Sequence, residues 1–200
     1  MLDTTTYLPL LAGFEGSIPF MYLDTAGNVT VGVGNLLADA AAAQALAFVV
    51  RPDLAADPSL PPAAATPDDI ATDFASVTAQ PKAFAAPHYK QFTKLDLPAD
   101  AITSLLASRV QIFTRQLLIV FPNFNSYPAE ACAAIFDMAF NLGIGKMMSA
   151  FPTFTRAVRS ADWATAAAQC HRLPPISDDR NNWTKAQFQQ AASDTLGTGA

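Results

Sequence analysis

The chain has 200 residues, of which 51% are hydrophobic and 14% charged, and its net charge at pH 7 is −5. This length and apolar content suffice for one well-buried core, so we expect a single domain over residues 1–200. The low number of basic residues argues against nucleic acid as a partner, and no apolar run approaches the roughly 20 residues of a membrane-spanning helix.

The first 37 residues predict a short helix followed by a hairpin. Apolar residues recur at helical spacing from Tyr7 to Phe14, which predicts a helix that ends near Glu15 and is stopped by Gly16. The stretch FMYLDTAGNVTVGVG then changes to an alternating pattern, which predicts a hairpin with its turn at DTAGN. Gly27 is expected to take a positive φ angle in this turn.

The rest of the chain predicts helices, because strand signals disappear beyond Leu36. A helix is expected in the Ala-rich stretch ADAAAAQALAFVV, and residues from about 50 to 98 form a Pro-rich, partly irregular insertion. Within this insertion, Thr66 is the predicted N-cap of a helix that continues to about Val77. Further helices are predicted over 99–120, in YPAEACAAIFDMAFNLG, and near 152–160, 161–171 and 183–194. The expected fold class is therefore α+β and mostly helical.

Three polar residues stand out in the apolar first block. Glu15 would lie in the last turn of the first helix, while Asp24 and Thr30 would flank the hairpin turn, so a compact fold can bring them to one cleft. Glycosidic bond cleavage needs one carboxylic acid to protonate the leaving oxygen and a second carboxylate to direct water or stabilise a cationic sugar. A Glu at a helix end and an Asp in a turn also occur for structural reasons alone, so spacing leaves both interpretations open.

The same block resembles a known enzyme family. Glu15 is followed after eight residues by Asp24, then after five by Thr30, and then by the Gly-x-Gly of Gly32 and Gly34. This pattern is similar to that of the phage-type, T4-like lysozymes of glycoside hydrolase family 24. A second resemblance lies in FDMAFNLGIGKMMSAFPTFTRAV and ADWATAAAQ, so the two regions together cover the N-terminal 37 residues and roughly 135–170.

The resemblance implies a lysozyme-like fold with a small N-terminal β-hairpin or sheet lobe and a helical C-terminal lobe. It also implies hydrolysis of the β-1,4 bond between N-acetylmuramic acid and N-acetylglucosamine in peptidoglycan, with inversion. Glu15 would be the general acid, and Asp24 and Thr30 would position and activate the attacking water. No cofactor and no metal are expected.

The resemblance also implies residues that contact the sugar chain: Tyr22, Gly34, Asn35, Phe140, Asn141 and Arg180. Relatives often place His where this chain has Asn35. For Phe140, a plain core role is an equally good interpretation. Arg180 is the candidate for the Arg that faces the catalytic Glu in the family, with Trp183 as the alternative occupant.

The expected partner is the glycan strand of peptidoglycan, and the expected state is a monomer. The start of the sequence lacks the positive region of a secretory signal, so we expect synthesis in the cytoplasm and action on the cell wall, in the periplasm or outside the producing cell. A holin or a secretion apparatus would deliver the enzyme, and an immunity protein would be a further partner. Cys132 and Cys170 are interpreted as small buried hydrophobes. The alternatives are a non-catalytic peptidoglycan-binding module and a hydrolase of chitin or chitosan.

Overall fold

The structure, a computed structural model, describes the backbone of residues 16–51 and 61–197 and their side chains up to residue 194. These residues form an α+β protein that is mostly helical. They fall into two compact units, one before residue 109 and one from residue 109 onwards, and the boundary lies inside a long helix. The predicted first helix and Glu15 lie outside the described residues, and the single domain stays a prediction.

The hairpin predicted around DTAGN is confirmed. Strand β1 (Ile18–Leu23) pairs antiparallel with β2 (Val29–Gly32), which pairs in turn with β3 (Asn35–Leu36). The turn residue Gly27 has a φ of +92°, as expected for a turn that favours glycine. This three-stranded sheet is the support on which the candidate site is built.

The prediction that strands end at Leu36 is wrong. The Ala-rich helix α1 covers only Ala40–Gln44, and it is followed by β4 (Val49–Val50), which pairs antiparallel with β5 (Leu95–Asp96). The pairing is reinforced by the Arg51 guanidinium, whose Nε lies 3.1 Å from an Asp96 carboxylate oxygen. Part of the expected loop before β5 is also ordered, as a 3-10 helix over Ala86–Phe92.

The helix predicted after Thr66 is confirmed as α2 (Pro67–Thr78). Thr66 and Asp69 form a reciprocal capping box, in which the Thr66 hydroxyl accepts from the Asp69 backbone N–H and the Asp69 carboxylate accepts from the Thr66 backbone N–H. Farther along the helix, the Asp73 carboxylate accepts hydrogen bonds from the backbone of Lys94 and Leu95, at 2.8 and 3.0 Å. Burial raises the pKa of Asp73 despite these bonds.

The second unit is helical. The long helix α3 (Ala99–Val120) runs into it, followed by a 3-10 turn over Phe124–Ser126 and then by α4 to α8, which are Ala129–Leu142, Ile144–Ala150, Pro152–Arg159, Trp163–Gln169 and Asp178–Gly197. Most of α4 is buried, and Gly143, with a φ of +76°, ends it as predicted. Helix α8 packs against both α4 and α7.

Two details of this helical unit differ from the prediction. Helix α5 was not expected, and α8 begins at Asp178 rather than near residue 183. The Ser177 hydroxyl accepts from the Arg180 backbone N–H at 3.3 Å, which places the start of α8 earlier than the apolar spacing indicates. Among the described helices, none alone has the length and apolarity to cross a bilayer, and α4 and α5 meet that test only as a pair bent by 100°.

Gly32→Ala is expected to destabilise the protein by roughly 1–3 kcal/mol, since L-residues are strained in the left-handed region. Gly32 has a φ of +66°, and an added Cβ would lie 3.2 Å from Ile102 Cγ2. Gly145→Ala is the matched control: no atom lies within 4 Å of the added Cβ, and alanine favours the helix. Urea unfolding of the three proteins measures the difference, and equal stability of Gly32→Ala and wild type would contradict it.

Candidate active site

Asp24 directly follows β1, and its carboxylate binds its own turn. Oδ1 accepts hydrogen bonds from the backbone N–H groups of Ala26 and Asn28, at 2.9 and 2.8 Å, and Oδ2 accepts from Asn28 Nδ2 at 3.0 Å. The backbone closes the same turn, because the Asp24 N–H donates to the Asn28 carbonyl at 2.9 Å and the Gly27 N–H donates to the Asp24 carbonyl at 3.0 Å. The position of the carboxylate is therefore fixed locally.

These hydrogen bonds also set the charge of Asp24. Partial burial acts to raise the pKa of its carboxyl, but the bonds from Asn28, Ala26 and Gly27 outweigh burial, and the pKa is lowered. Asp24 is therefore ionised at neutral pH.

Thr30 lies in the central strand β2 and is 3% exposed. Its hydroxyl donates to the Asn28 carbonyl at 3.2 Å. Tyr22 of β1 and Leu36 of β3 stand opposite Thr30 in the antiparallel register, so the three side chains share one face of the sheet. Tyr22 is half-buried, whereas Leu36 is 57% exposed and marks this face as open to solvent at its edge.

Asn28 is the residue that joins Asp24 to Thr30, and sequence reasoning missed it. Its backbone and side-chain N–H groups both donate to the Asp24 carboxylate, while its carbonyl accepts from the Thr30 hydroxyl. The available signal was the Asp-x-x-Gly-Asn order of the turn, because Asp side chains often bond to backbone N–H groups a few residues ahead.

Gly34 lies in the connection between β2 and β3, and Asn35 is the first residue of β3. Asn35 stands opposite Val31 in the register, so it lies on the other face of the sheet from Thr30. Gly34 takes a φ of +66°. Within the hairpin, Thr30 and Tyr22 therefore share one face, Asp24 is linked to Thr30 through Asn28, and Asn35 lies on the opposite face.

Of the residues predicted in the second unit, Phe140 lies in the core. It is 7% exposed, and its ring packs against Phe113 and Phe136, with centroids 5.4 and 6.2 Å away. The Arg109 guanidinium lies 4.4 Å from the centroid of the same ring, a cation–π contact. Of the two interpretations of Phe140, the core role is the one that these contacts support.

Asn141, the next residue, lines a cavity of about 560 Å³ in the same unit. Lys146, His171 and Arg172 contribute to its wall together with apolar side chains. The lining contains no acidic side chain, so this cavity can accept polar or anionic groups beside an apolar surface. Asn141 thus lines a cavity, and its contact with the sugar chain stays a prediction.

Arg180 is almost buried and binds Asp137, a residue that sequence reasoning did not single out. Its Nε and Nη2 lie 2.8 and 2.7 Å from Asp137 Oδ1, while Arg172 Nη1 lies 2.7 Å from Oδ2. The Thr184 hydroxyl donates to Asp137 at 2.8 Å. The available signal was a lone carboxylate inside the apolar stretch FDMAF. The predicted contact of Arg180 with Glu15 involves a residue outside the described ranges.

The remaining titratable groups offer no metal site in the described part of the chain. No three His, Cys, Asp or Glu side chains there are grouped to hold an ion. Cys132 and Cys170 are both buried and free, as the sequence interpretation expected. Neither a known family model nor a curated protein matches this chain.

Asn28→Ala is expected to raise the pKa of Asp24 towards its ordinary value, because the variant removes one of the hydrogen bonds that favour the charged form. A lowered folded-state pKa gives stability that is present above the unfolded pKa and is lost as the pH falls through the folded pKa. In Asn28→Ala the folded-state pKa lies closer to the unfolded one, so this acid loss should be smaller and should be complete at a higher pH. A ¹³C NMR titration of the Asp24 carboxyl measures the change.

Asn182→Ala is the control for this titration, since Asn182 is an exposed residue of α8 in the other unit. It should leave the pKa of Asp24 as it is in the wild type. An Asp24 pKa that is the same in Asn28→Ala and wild type would show that the Asn28 side chain does not set the charge of the site.

Proposed function

We propose that the protein is a muramidase, which hydrolyses the β-1,4 bond between N-acetylmuramic acid and N-acetylglucosamine in peptidoglycan. The observation that carries the proposal is the Asp24 carboxylate, held ionised by its turn and joined through Asn28 to Thr30. Both residues occupy positions of the Glu-Asp-Thr spacing that resembles the phage-type lysozymes. The lysozyme-like arrangement of the fold belongs to the same proposal.

The hydrogen bonds of the hairpin suggest how water would be oriented. The Thr30 hydroxyl already donates to the Asn28 carbonyl, so its oxygen is left to accept a hydrogen bond. The ionised Asp24 carboxylate is also an acceptor. A water that donates one proton to each oxygen would direct its own lone pair towards the anomeric carbon of the sugar.

The bond changes then balance in a single displacement. Glu15 gives its proton to the glycosidic oxygen as the C–O bond breaks, and the water oxygen bonds to the anomeric carbon from the opposite face. Asp24 takes the proton released by that water. Solvent restores both carboxyl groups after the products leave, so no cofactor enters the cycle.

The proposed biological role is that of a phage endolysin or of a secreted antibacterial effector. In the first case a holin would bring the enzyme to the cell wall, and in the second a secretion apparatus would do so, with an immunity protein to protect the producer. We propose a monomer that acts on the wall in the periplasm or outside the producing cell. An acidic chain gains no long-range attraction to an anionic wall, so contacts near the site would have to capture the substrate.

One observation favours a second candidate function, a non-catalytic module that binds glycan. The hydrogen bonds that the Asp24 carboxylate accepts come from its own turn, so this residue would also be retained for structural reasons. The two candidates differ in one consequence, because a binding module would release no reducing ends from peptidoglycan.

Glu15→Gln is expected to slow the release of reducing ends from purified peptidoglycan by at least about 10²–10⁴-fold, since general acid catalysis contributes that much. Glu130→Gln is the matched control, because Glu130 is the other glutamate of the chain and lies in the first turn of α4. It should keep the wild-type rate. A parallel assay on chitooligosaccharides tests the third alternative, hydrolysis of chitin-like chains.

Two outcomes would contradict the proposed muramidase function. Equal rates for wild type and Glu15→Gln would remove the catalytic assignment. Binding of peptidoglycan by folded wild-type protein without any release of reducing ends would favour the binding module.

A further inference from the structure

A partly exposed aromatic cluster lies in the first unit, outside the residues used above. We call Phe84, His88 and Phe92 the aromatic ledge. The Phe84 ring stacks on the His88 imidazole with centroids 4.1 Å apart and an interplanar angle of 17°, and His88 contacts Phe92 at 5.6 Å. Phe84 is nevertheless 50% exposed. Because one ring face is covered by His88, the exposed area lies on the opposite face and the ring edge.

The aromatic ledge is held in place by buried contacts below it. Tyr89 lies in the same 3-10 helix as His88 and Phe92. It is fully buried, and its hydroxyl donates to the Pro81 carbonyl at 2.9 Å. The Tyr89 ring also meets the His88 ring edge-on at 5.4 Å. Ala83, next to Phe84, has a φ of +77°, a conformation that non-glycine residues seldom take and that often accompanies function. The exposed ring is therefore presented on a fixed support.

The chain segment that leads into the aromatic ledge contacts the turn that holds Asp24. A Cβ placed on Gly27 would lie 3.2 Å from Lys82 Cδ, so the Lys82 side chain packs against this turn. Phe84 is only two residues from Lys82, a stretch of chain that spans at most about 7 Å. A glycan chain bound at Asp24 would therefore reach the aromatic ledge within a few sugar residues.

The same stretch is also locally basic. Residues 82–94 contain Lys82, Lys90 and Lys94 and no Asp or Glu, although acidic residues outnumber basic ones in the whole chain. Lys82 and Lys90 are exposed. A surface with an exposed aromatic face and cationic side chains fits a ligand that has apolar ring faces and anionic substituents. Peptidoglycan has both, in the C–H faces of its sugar rings and in the carboxylates of its peptide-free muramic acid residues or of the peptides attached to the others.

We propose that the aromatic ledge and Lys82 form a glycan-binding subsite next to Asp24. An N-acetylhexosamine ring stacks its C–H face on the free face of Phe84, and Lys82 attracts a carboxylate of a neighbouring muramic acid residue or of the peptide attached to it. This subsite rests on the proposed muramidase function. It supplies the local capture that an acidic enzyme needs on an anionic polymer.

The test measures binding in full-length protein carrying Glu15→Gln, so that turnover does not interfere. Two probes are titrated by calorimetry: neutral N-acetylglucosamine hexamer and a muramic-acid-containing glycan fragment of the same length. Phe84→Ala should weaken both by about tenfold, and Phe84→Tyr, which keeps the aromatic face, should restore binding. Lys82→Gln should weaken only the anionic probe, and this effect should shrink as salt is raised.

Ile119→Ala is the matched control, because Ile119 is an 81% exposed apolar residue in the second unit. It should bind both probes like the parent protein. In the active enzyme, Phe84→Ala should raise KM on long glycan about tenfold and leave kcat within about twofold. Stacking far from the bond that breaks stabilises the bound substrate and the transition state equally, so its loss weakens binding without slowing the chemical step.

The outcomes separate this subsite from the muramidase itself. Unchanged affinity in folded Phe84→Ala, while wild type hydrolyses peptidoglycan, overturns the subsite alone. If glycan binding depends on Phe84 but the wild-type protein hydrolyses no peptidoglycan, the subsite is supported and the muramidase activity is excluded. A concentration-dependent dimer that Phe84→Ala abolishes would show that a second copy covers the aromatic ledge, and would overturn the proposal.

Discussion

The three hydrogen bonds that the Asp24 carboxylate accepts from its own turn are the constraint on which the candidate site depends. They fix the carboxylate within the hairpin turn and keep it ionised. Asn28 supplies two of them and also binds the Thr30 hydroxyl. One residue therefore positions both Asp24 and Thr30, the two groups proposed to accept hydrogen bonds from the attacking water. The geometry of the site therefore depends mainly on residues of the hairpin itself. The contacts from elsewhere in the chain include the close packing of Lys82 on Gly27 and of Ile102 on Gly32.

The second unit depends on a different kind of interaction, a buried charge network. Asp137 is fully buried and accepts from Arg172, Arg180 and Thr184, while Arg172 also binds Asn181 and Thr184. Burying these charges is costly, and removing Asp137 would leave two buried guanidinium groups without this counter-charge, so such a network favours one arrangement of helices over others. Asn141 follows Asp137 by one helical turn, which places the cavity residue on a rigid helix.

The elements that the sequence predicted best are those determined by neighbouring residues. The capping box of α2, the Gly27 turn and the end of α4 at Gly143 each depend on a few consecutive residues, and all three appear in the structure. The strands β4 and β5 were missed because each has two residues and the partner lies about 45 residues away in the chain. Their pairing depends on contacts such as Arg51 with Asp96, which no local pattern reveals.

The same distinction applies to the candidate site. Asp24 and Thr30 could be paired from the sequence because a short turn separates them. The core role of Phe140 and the binding of Arg180 to Asp137 could not be predicted from the sequence, because the residues in contact come from helices far apart in the chain. Asn28 was overlooked because its function is to bind neighbouring groups rather than to do chemistry. The arrangement of Glu15 stays a prediction.

The most direct test of an Asp24-directed water is the stereochemistry of the product. Hydrolysis of a soluble peptidoglycan glycan fragment can be followed by ¹H NMR at the anomeric protons, before mutarotation mixes the forms. Attack by water opposite to the leaving group predicts that the α anomer of the new reducing end forms first. The β anomer as first product would mean retention through a different mechanism and would contradict the account.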